Sequence, residues 1–314
     1  MPDVLRQLHE QGGDKVHRTI LAPDGALMHI SGIENEVEWL LPAIATLCER
    51  DSQLAQVYLC HPAAKHVFKL PKEGNFCGYR NIQMLVSYII SAPAEGQQHF
   101  DSRIPHVLQI QDQIEAGWTM GINSFCRTET GGIKGTRKYI GTSEAQTYFT
   151  SLGIPSKVEA FSAMPPIPAH EFLFESIRAY FMADDGQGTA HGTQAVVRKT
   201  YKPPVYFQHH GMYYEMRRVD HKLTSNPGHS MTIIGYEKRK DNSQCLLVFD
   251  PSCRTVKAMT DLVNTGQFRG SASTLLRLYR RGVSYLRKHD EFEILMLAPS
   301  PQSDANDHSG SAES

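Results

Sequence analysis

The chain has 314 residues, 40% of them hydrophobic, enough for a sizeable buried core and too many for a disordered protein. Its 32 lysines and arginines nearly balance 33 aspartates and glutamates, so no global field selects nucleic acid or an anionic membrane as partner. No signal peptide or membrane span is visible and the six cysteines form no CxxC pair, which predicts free thiols in the cytoplasm or nucleus rather than a disulfide or zinc scaffold.

In chain order, residues 1–35 read as an N-terminal extension, a short helix in "DVLRQLHEQ" followed by a Gly, Asp and Pro-rich connector. "EVEWLLPAIATLCER" has apolar residues at helical spacing. From Cys77, the positions Ile82, Leu85, Val86, Ile89 and Ile90 recur at three- and four-residue steps, the buried stripe of an amphipathic helix with Cys77 in its first turn. A further helix is expected in "VLQIQDQIEAGW", and another at "GTSEAQTYF", capped by Thr142 or Ser143 and ended at Leu152-Gly153. After the proline-rich "MPPIPAH" and the helix "EFLFESIRAYFM", the texture turns to β-branched and aromatic runs: "PVYFQHH", "HSMTIIGYEK" and "QCLLVFD". "RGSASTLLRLYRRGVSYL" adds a late helix and "FEILML" a last strand, while residues 298–314 lack the apolar content to pack and read as a disordered tail. Helices followed by clustered antiparallel strands predict an α+β fold, with a single catalytic domain over 36–297.

The chemistry centres on "GNFCGYRN". A thiol attacks carbonyls as thiolate, and the unpaired N–H groups of a helix start favour that charge, which is where Cys77 falls. Gly74 and Gly78 let backbone approach a bound chain, and the Cys77 N–H is expected as a donor to a developing oxyanion. Taken alone, an inert buried cysteine is the commoner case. The base and its orienter come from one predicted hairpin: folding "GHSMTIIGYE" and "QCLLVFD" about "KRKDNS" brings His229 within about two residues of Asp250, on the same face. A carboxylate there is expected to hold imidazole Nδ1–H and leave Nε2 facing the thiol. The other histidines, His209 and His210 included, read as surface or core residues, Cys245 and Cys253 as ordinary strand and loop residues, and no metal or other cofactor is expected.

"CGYRNIQML", "IQDQIEAGW", "GTRKYIGTSE", "VYFQHHG", "GHSMTIIGYE" and "LLVFDPS" stand in the order seen in the ZUFSP-type cysteine peptidases, relatives of the ubiquitin-fold-modifier proteases, and the chain resembles them from about Lys65 to Leu297. The resemblance implies a papain-like fold with Cys77 as nucleophile, His229 as general base and Asp250 as its orienter. It also implies a deubiquitinase acting on ubiquitin or polyubiquitin, because the modifier-specific proteases carry a compact Asp-Pro-His in which aspartate comes first. A protease for another ubiquitin-like modifier and a non-catalytic ubiquitin-binding module are the rival readings; an intact Cys, His and Asp set argues against the latter.

Glu144 occupies the position of a family glutamate that resembles an acid for the arginines of the ubiquitin tail; equally, it reads as a first-turn helix stabiliser. Where the family places aspartate after the tryptophan helix, "GIN" supplies Asn123. Gln208 is the oxyanion candidate, with Asn75 as rival. "MYYEMRRVDHKLTSNP" after Gly211 interrupts the family's direct junction to the catalytic histidine and reads as a lid, a substrate loop or decoration. Too few residues precede the protease for the zinc fingers and ubiquitin-binding arms of animal relatives, so their linkage preference is not carried over.

Overall fold

A computed structural model describes residues 1–10, 15–21, 27–92, 94–183, 197–209 and 228–298. Helix α1 (Asp3–Glu10) precedes strands β1 (Lys15–Leu21), β2 (Leu27–Ile33) and β3 (Glu36–Val37), then α2 (Leu40–Arg50), β4 (Leu54–Leu59) and β5 (His66–Val67). A helical block follows: α3 (Cys77–Ser91), α4 (Val107–Thr119), α5 (Phe125–Thr130) and α6 (Thr142–Ser151). The rest alternates more: β6 (Ser156–Ser162), α7 (Ala169–Met182), β7 (Val197–Lys199), β8 (Val205–His209), β9 (His229–Arg239), β10 (Gln244–Phe249), α8 (Lys257–Thr265), α9 (Ala272–Leu276), β11 (Arg280–Gly282), α10 (Val283–Leu286) and β12 (Glu291–Leu297).

The main sheet runs β11-β10-β9-β8-β12-β6 with every neighbour antiparallel. Strand β9 is long because one of its edges serves two partners, β8 along His229–Ile233 and β4 along Gly235–Arg239; β7 adds parallel to β4. Alternation along β9 then sends Ser230 and Thr232 to the face that carries α3, where Thr232 Oγ1 donates to Asn81 Oδ1 at 3.0 Å. A helix that carries cysteine at its N-terminus, packed across an antiparallel sheet, is the α+β, papain-like plan expected from the sequence.

Helix α3 is buried on all sides from Cys77 to Ile89, not along one stripe, because the sheet, α4 and α6 enclose it. Ile82, Leu85 and Val86 are fully buried, each stabilising by about 1.5–3 kcal/mol. Two of its polar residues bond inside: Arg80 Nε donates to Glu73 Oε2 at 3.1 Å and Gln83 Nε2 to the Pro105 carbonyl at 2.7 Å. Helix α1 docks near the nucleophile loop, its His9 ring 5.4 Å from that of Phe76 and the Met1 amino group donating to Gly135 O at 3.1 Å.

Three local expectations change. The N-cap of α6 is Gly141, not Thr142 or Ser143. The single late helix is two short ones, α9 and α10, because Arg280–Gly282 between them pairs with β10. The connector after α1 carries the β1–β2 hairpin. The expected tail from Pro299 onward and the insertion Met212–Pro227 lie outside the described residues.

Candidate active site

Two structural decisions bring the site together. The first is the turn through Gly74, at φ 65, which delivers Phe76 as N-cap and Cys77 as the first residue of α3, so the thiol sits where helix N–H groups lack partners. The second is the β9–β10 hairpin. Its register pairs Phe249 with Thr232, and Asp250 leaves the sheet one step further, beside His229 at the start of β9.

His229 Nε2 donates to Asp250 Oδ1 at 2.8 Å. The ring is therefore turned opposite to the expectation from sequence: Nε2, not Nδ1, meets the carboxylate. Nδ1 is the nitrogen left for the thiol. Asp250, one residue beyond the end of β10, meets the ring at Nε2.

The electrostatics separate Cys77 from every other cysteine. Burial alone would push its thiol up, but hydrogen bonding from His229 and Ser230 and the charge of His229 outweigh burial and bring it below the ordinary thiol value. The remaining five are all raised, chiefly by burial: Cys48 and Cys126 to about 12, Cys245 to about 11, and Cys60 and Cys253 upward as well. For His229, burial disfavours the charged ring, yet the hydrogen bonds and charges of Asp250 and Cys77 raise it to about 9. Asp250 is held well below the usual carboxylate range: its burial is overcome by His229, by the Ser252 N–H at 2.9 Å and by Arg281. His229 thus stands between Cys77 and Asp250, lowering the pKa of each while both raise its own.

His66 has no counterpart in the sequence reading. From β5 its Nε2–H donates to the Asp250 carbonyl at 3.1 Å while Nδ1 accepts from Thr255 at 3.1 Å, and burial lowers its pKa to about 4, which keeps it a neutral strut. Arg281, also missed, places Nη2 2.8 Å from Asp250 Oδ2. Both act on Asp250 from distant chain segments, and no local motif marks them.

Gln208 lies in β8 opposite Ser230, buried, with its carboxamide against Gly141: a Cβ there would come within 2.9 Å of Oε1. No partner is found for that Oε1 among the described residues. Asn75, its rival, is exposed on the turn before the helix. Gly78 packs so closely that a Cβ would meet the Ile140 carbonyl at 2.5 Å, so Ile140 lies directly against the first turn of α3.

Of the two readings of Glu144, the geometry carries the helix-start one. The side chain is buried and its Oε2 accepts the Gly141 N–H at 2.7 Å, closing the first turn of α6. Asn123, where the family has aspartate, adopts a positive φ of 46 and donates through Nδ2 to Ser143 O at 3.2 Å. It is a brace for α6. His209 is buried next to the site, stacked on His289 with ring centroids 3.7 Å apart and 6.0 Å from the His229 ring. His210 lies outside the described residues. Among the described residues no group of three His, Cys, Asp or Glu is arranged to hold a metal ion, and no helix is long and apolar enough to cross a membrane.

Residues 53–295 match the family described as Peptidase family C78. The chain is 32% identical over 223 residues to Zinc finger-containing ubiquitin peptidase 1 of Mus musculus, covering 70% of this chain and 34% of the relative. With the Homo sapiens protein of that name it shares 28% identity over 293 residues, 93% of this chain and 45% of the relative. Ubiquitin carboxyl-terminal hydrolase mug105 of Schizosaccharomyces pombe is 24% identical over 194 residues, 61% of this chain and 65% of the relative. The chain spans less than half the length of the mouse and human relatives. Among solved structures it is similar to UfSP from C. elegans, at 13% identity and a TM-score of 0.45, covering 95% of this chain and 53% of that one.

Proposed function

The chain belongs to peptidase family C78 and is a cysteine peptidase by class; from that premise we propose that it is a deubiquitinase, hydrolysing isopeptide bonds of ubiquitin and polyubiquitin through Cys77, His229 and Asp250. One observation carries the reading: of six cysteines only Cys77 is brought below its ordinary pKa, and the histidine responsible is held by Asp250 at 2.8 Å. The ubiquitin in the names of the mammalian and fission-yeast relatives supports the substrate, as does the chain order in which His229 precedes Asp250.

In the acylation step the Cys77 thiolate attacks the carbonyl carbon of the ubiquitin C-terminal glycine, forming a C–S bond and moving an electron pair onto the carbonyl oxygen. The Cys77 N–H at the start of α3 and the Gln208 carboxamide are the donors proposed for that oxyanion. Collapse breaks the C–N bond while His229 gives its Nδ1 proton to the departing lysine amine. Neutral His229 then takes a proton from water, the hydroxide oxygen adds to the thioester carbonyl, and the thiolate leaves with ubiquitin as the free acid. Asp250 remains ionised throughout, holding the ring through Nε2.

Steady-state hydrolysis of a ubiquitin C-terminal amide and of linkage-defined ubiquitin chains tests this, beside the same assays on the ubiquitin-fold modifier. Cleavage of ubiquitin substrates, lost in Cys77→Ala, supports the proposal. Cleavage of the modifier alone would transfer the enzyme to that substrate, and binding of ubiquitin without cleavage of either would make it a recognition module.

A further inference from the structure

Asp250 uses both of its carboxylate oxygens. Oδ1 receives His229 Nε2–H at 2.8 Å and the Ser252 N–H at 2.9 Å, and Oδ2 receives Nη2 of Arg281 at 2.8 Å. Arg281 comes from the sheet-edge strand β11, where its backbone lies opposite Leu246, and its guanidinium reaches Asp250, the residue after β10. It is itself fixed: Nη1 donates to the carbonyls of Leu278 at 3.2 Å and Arg280 at 3.1 Å, and the group lies over the Tyr285 ring, 5.2 Å from its centroid. The Tyr285 hydroxyl in turn stands 2.9 Å from His209 Nε2, in the ring cluster beside His229. The pair is nearly withdrawn from water, with side-chain exposures of 12% for Arg281 and 9% for Asp250.

The neighbouring arginine is different. Arg280 bonds Glu237 Oε2 at 2.9 Å and Asp51 Oδ2 at 2.8 Å, joining β11 to β9 and to the turn after α2, with no atom of the site involved.

We propose that Arg281 is a positioning residue for catalysis: by clamping Asp250 Oδ2 it holds the carboxylate in the rotation that presents Oδ1 to His229. This rests on the reading of Cys77, His229 and Asp250 as the catalytic set. The Cβ–carboxylate torsion is soft, so a carboxylate held on one oxygen alone swings and loses its aim at the ring. A planar, fixed cationic donor on the second oxygen removes that freedom. It also supplies the charge that makes a buried carboxylate tolerable. The other titratable groups facing Asp250 are His229 across the hairpin, His66 on its backbone carbonyl, Cys253 in the following turn and Tyr285 of α10. His66 is neutral by burial, Cys253 and Tyr285 are neutral acids, and His229 changes charge in the reaction, so Arg281 is the cation that stays constant.

A purely structural staple of β11 would affect stability and nothing else, and the test reads what a staple cannot move. In the full chain, the pH dependence of Cys77 alkylation by iodoacetamide is followed by peptide mass for the wild type, Arg281→Met and Arg281→Lys. For the same three proteins kcat and KM are measured on a ubiquitin C-terminal amide. Loss of the guanidinium raises the Asp250 pKa and frees its carboxylate to swing off His229, whose contact is what lowers the Cys77 thiol, so the acid limb of alkylation is expected at higher pH in Arg281→Met. Its kcat is expected to fall roughly 10- to 100-fold, with KM within about twofold, because the ring is misaimed while the substrate surface is intact. Arg281→Lys, a point charge without the fork, is expected to restore part of both. A folded Arg281→Met with the wild-type acid limb and kcat overturns the proposal, and so does equal loss in both variants with an unmoved limb. Should Arg281→Met not fold, Arg281→Lys decides alone, since wild-type kcat and limb in that variant reject the clamp. The alkylation limb needs no substrate, so a wrong ubiquitin assignment shows separately, as absence of turnover in the wild type.

Discussion

His229 donates through Nε2 to Asp250, 2.8 Å away, which leaves Nδ1 as the nitrogen that meets the Cys77 thiol. Hydrogen bonds and charges from Asp250 on one side and Cys77 on the other raise the imidazole to about 9, and the same contact with His229 lowers the thiol.

That coupling fixes the response to losing the carboxylate charge. Asp250 raises His229, so in Asp250→Asn the imidazolium is lost at lower pH and the alkaline limb of kcat/KM moves down from about 9. Turnover is expected to fall about 100-fold or more, with the circular dichroism spectrum unchanged. An alkaline limb that stays in place would show that Asp250 does not set the histidine.

The same raised pKa has a stability consequence. Protonated His229 gains its partners on folding, so its contribution is fully present below the ordinary 6.5 and is lost as pH rises through about 9. Urea unfolding of the wild type and of His229→Gln measures it: the difference between them is expected to shrink across that window, and a pH-independent difference would contradict it.

Glu144 is expected to matter for the fold more than for the substrate. Its carboxylate closes the start of α6 on Gly141 N–H at 2.7 Å, and Glu144→Ala should cost about 1 kcal/mol with KM within about twofold. A several-fold rise in KM at unchanged melting temperature would return Glu144 to the substrate site.

Close packing around the nucleophile gives a further test. In Gly78→Ala the new methyl meets the Ile140 carbonyl at 2.5 Å and the Tyr206 hydroxyl at 3.1 Å, so backbone must shift beside the thiol. We expect a loss of about 1–3 kcal/mol and a lowered kcat, read by thermal denaturation and steady-state kinetics; wild-type values in both would mean the 137–141 segment yields freely.

The framework should respond without the site's pH signature. Arg280 is the shared partner of Glu237, which is fully buried, and of Asp51. Arg280→Met leaves both without it and is expected to destabilise by about 3–5 kcal/mol, measured by urea titration, while the acid limb of Cys77 alkylation remains that of the wild type.

What the sequence made visible follows the range of the interactions. Cys77 at a helix start and the His229–Asp250 hairpin are local patterns, a period of three to four and a period of two about a polar turn, and the β9–β10 register fulfils the second within the expected two residues. The ring orientation is not legible in the sequence, because residue spacing brings His229 and Asp250 together without fixing which ring nitrogen faces the carboxylate. His66 and Arg281 contact Asp250 from 184 and 31 residues away, with no periodicity to announce them. Strand β11 was hidden inside a helical-looking run because pairing with β10 overrode the local propensity of Arg280–Gly282. Glu144 carried a signal that two functions share, and only its bond to Gly141 separates them.

The most direct measurement is the intact mass of the full chain after incubation with ubiquitin bearing a C-terminal electrophile, followed by peptide mapping of the modified residue. One ubiquitin is expected to add, on Cys77, and to be absent from Cys77→Ala and much slower in His229→Ala. Modification of another cysteine, or an adduct that persists in Cys77→Ala, would contradict the assignment of Cys77 as the ubiquitin-directed nucleophile.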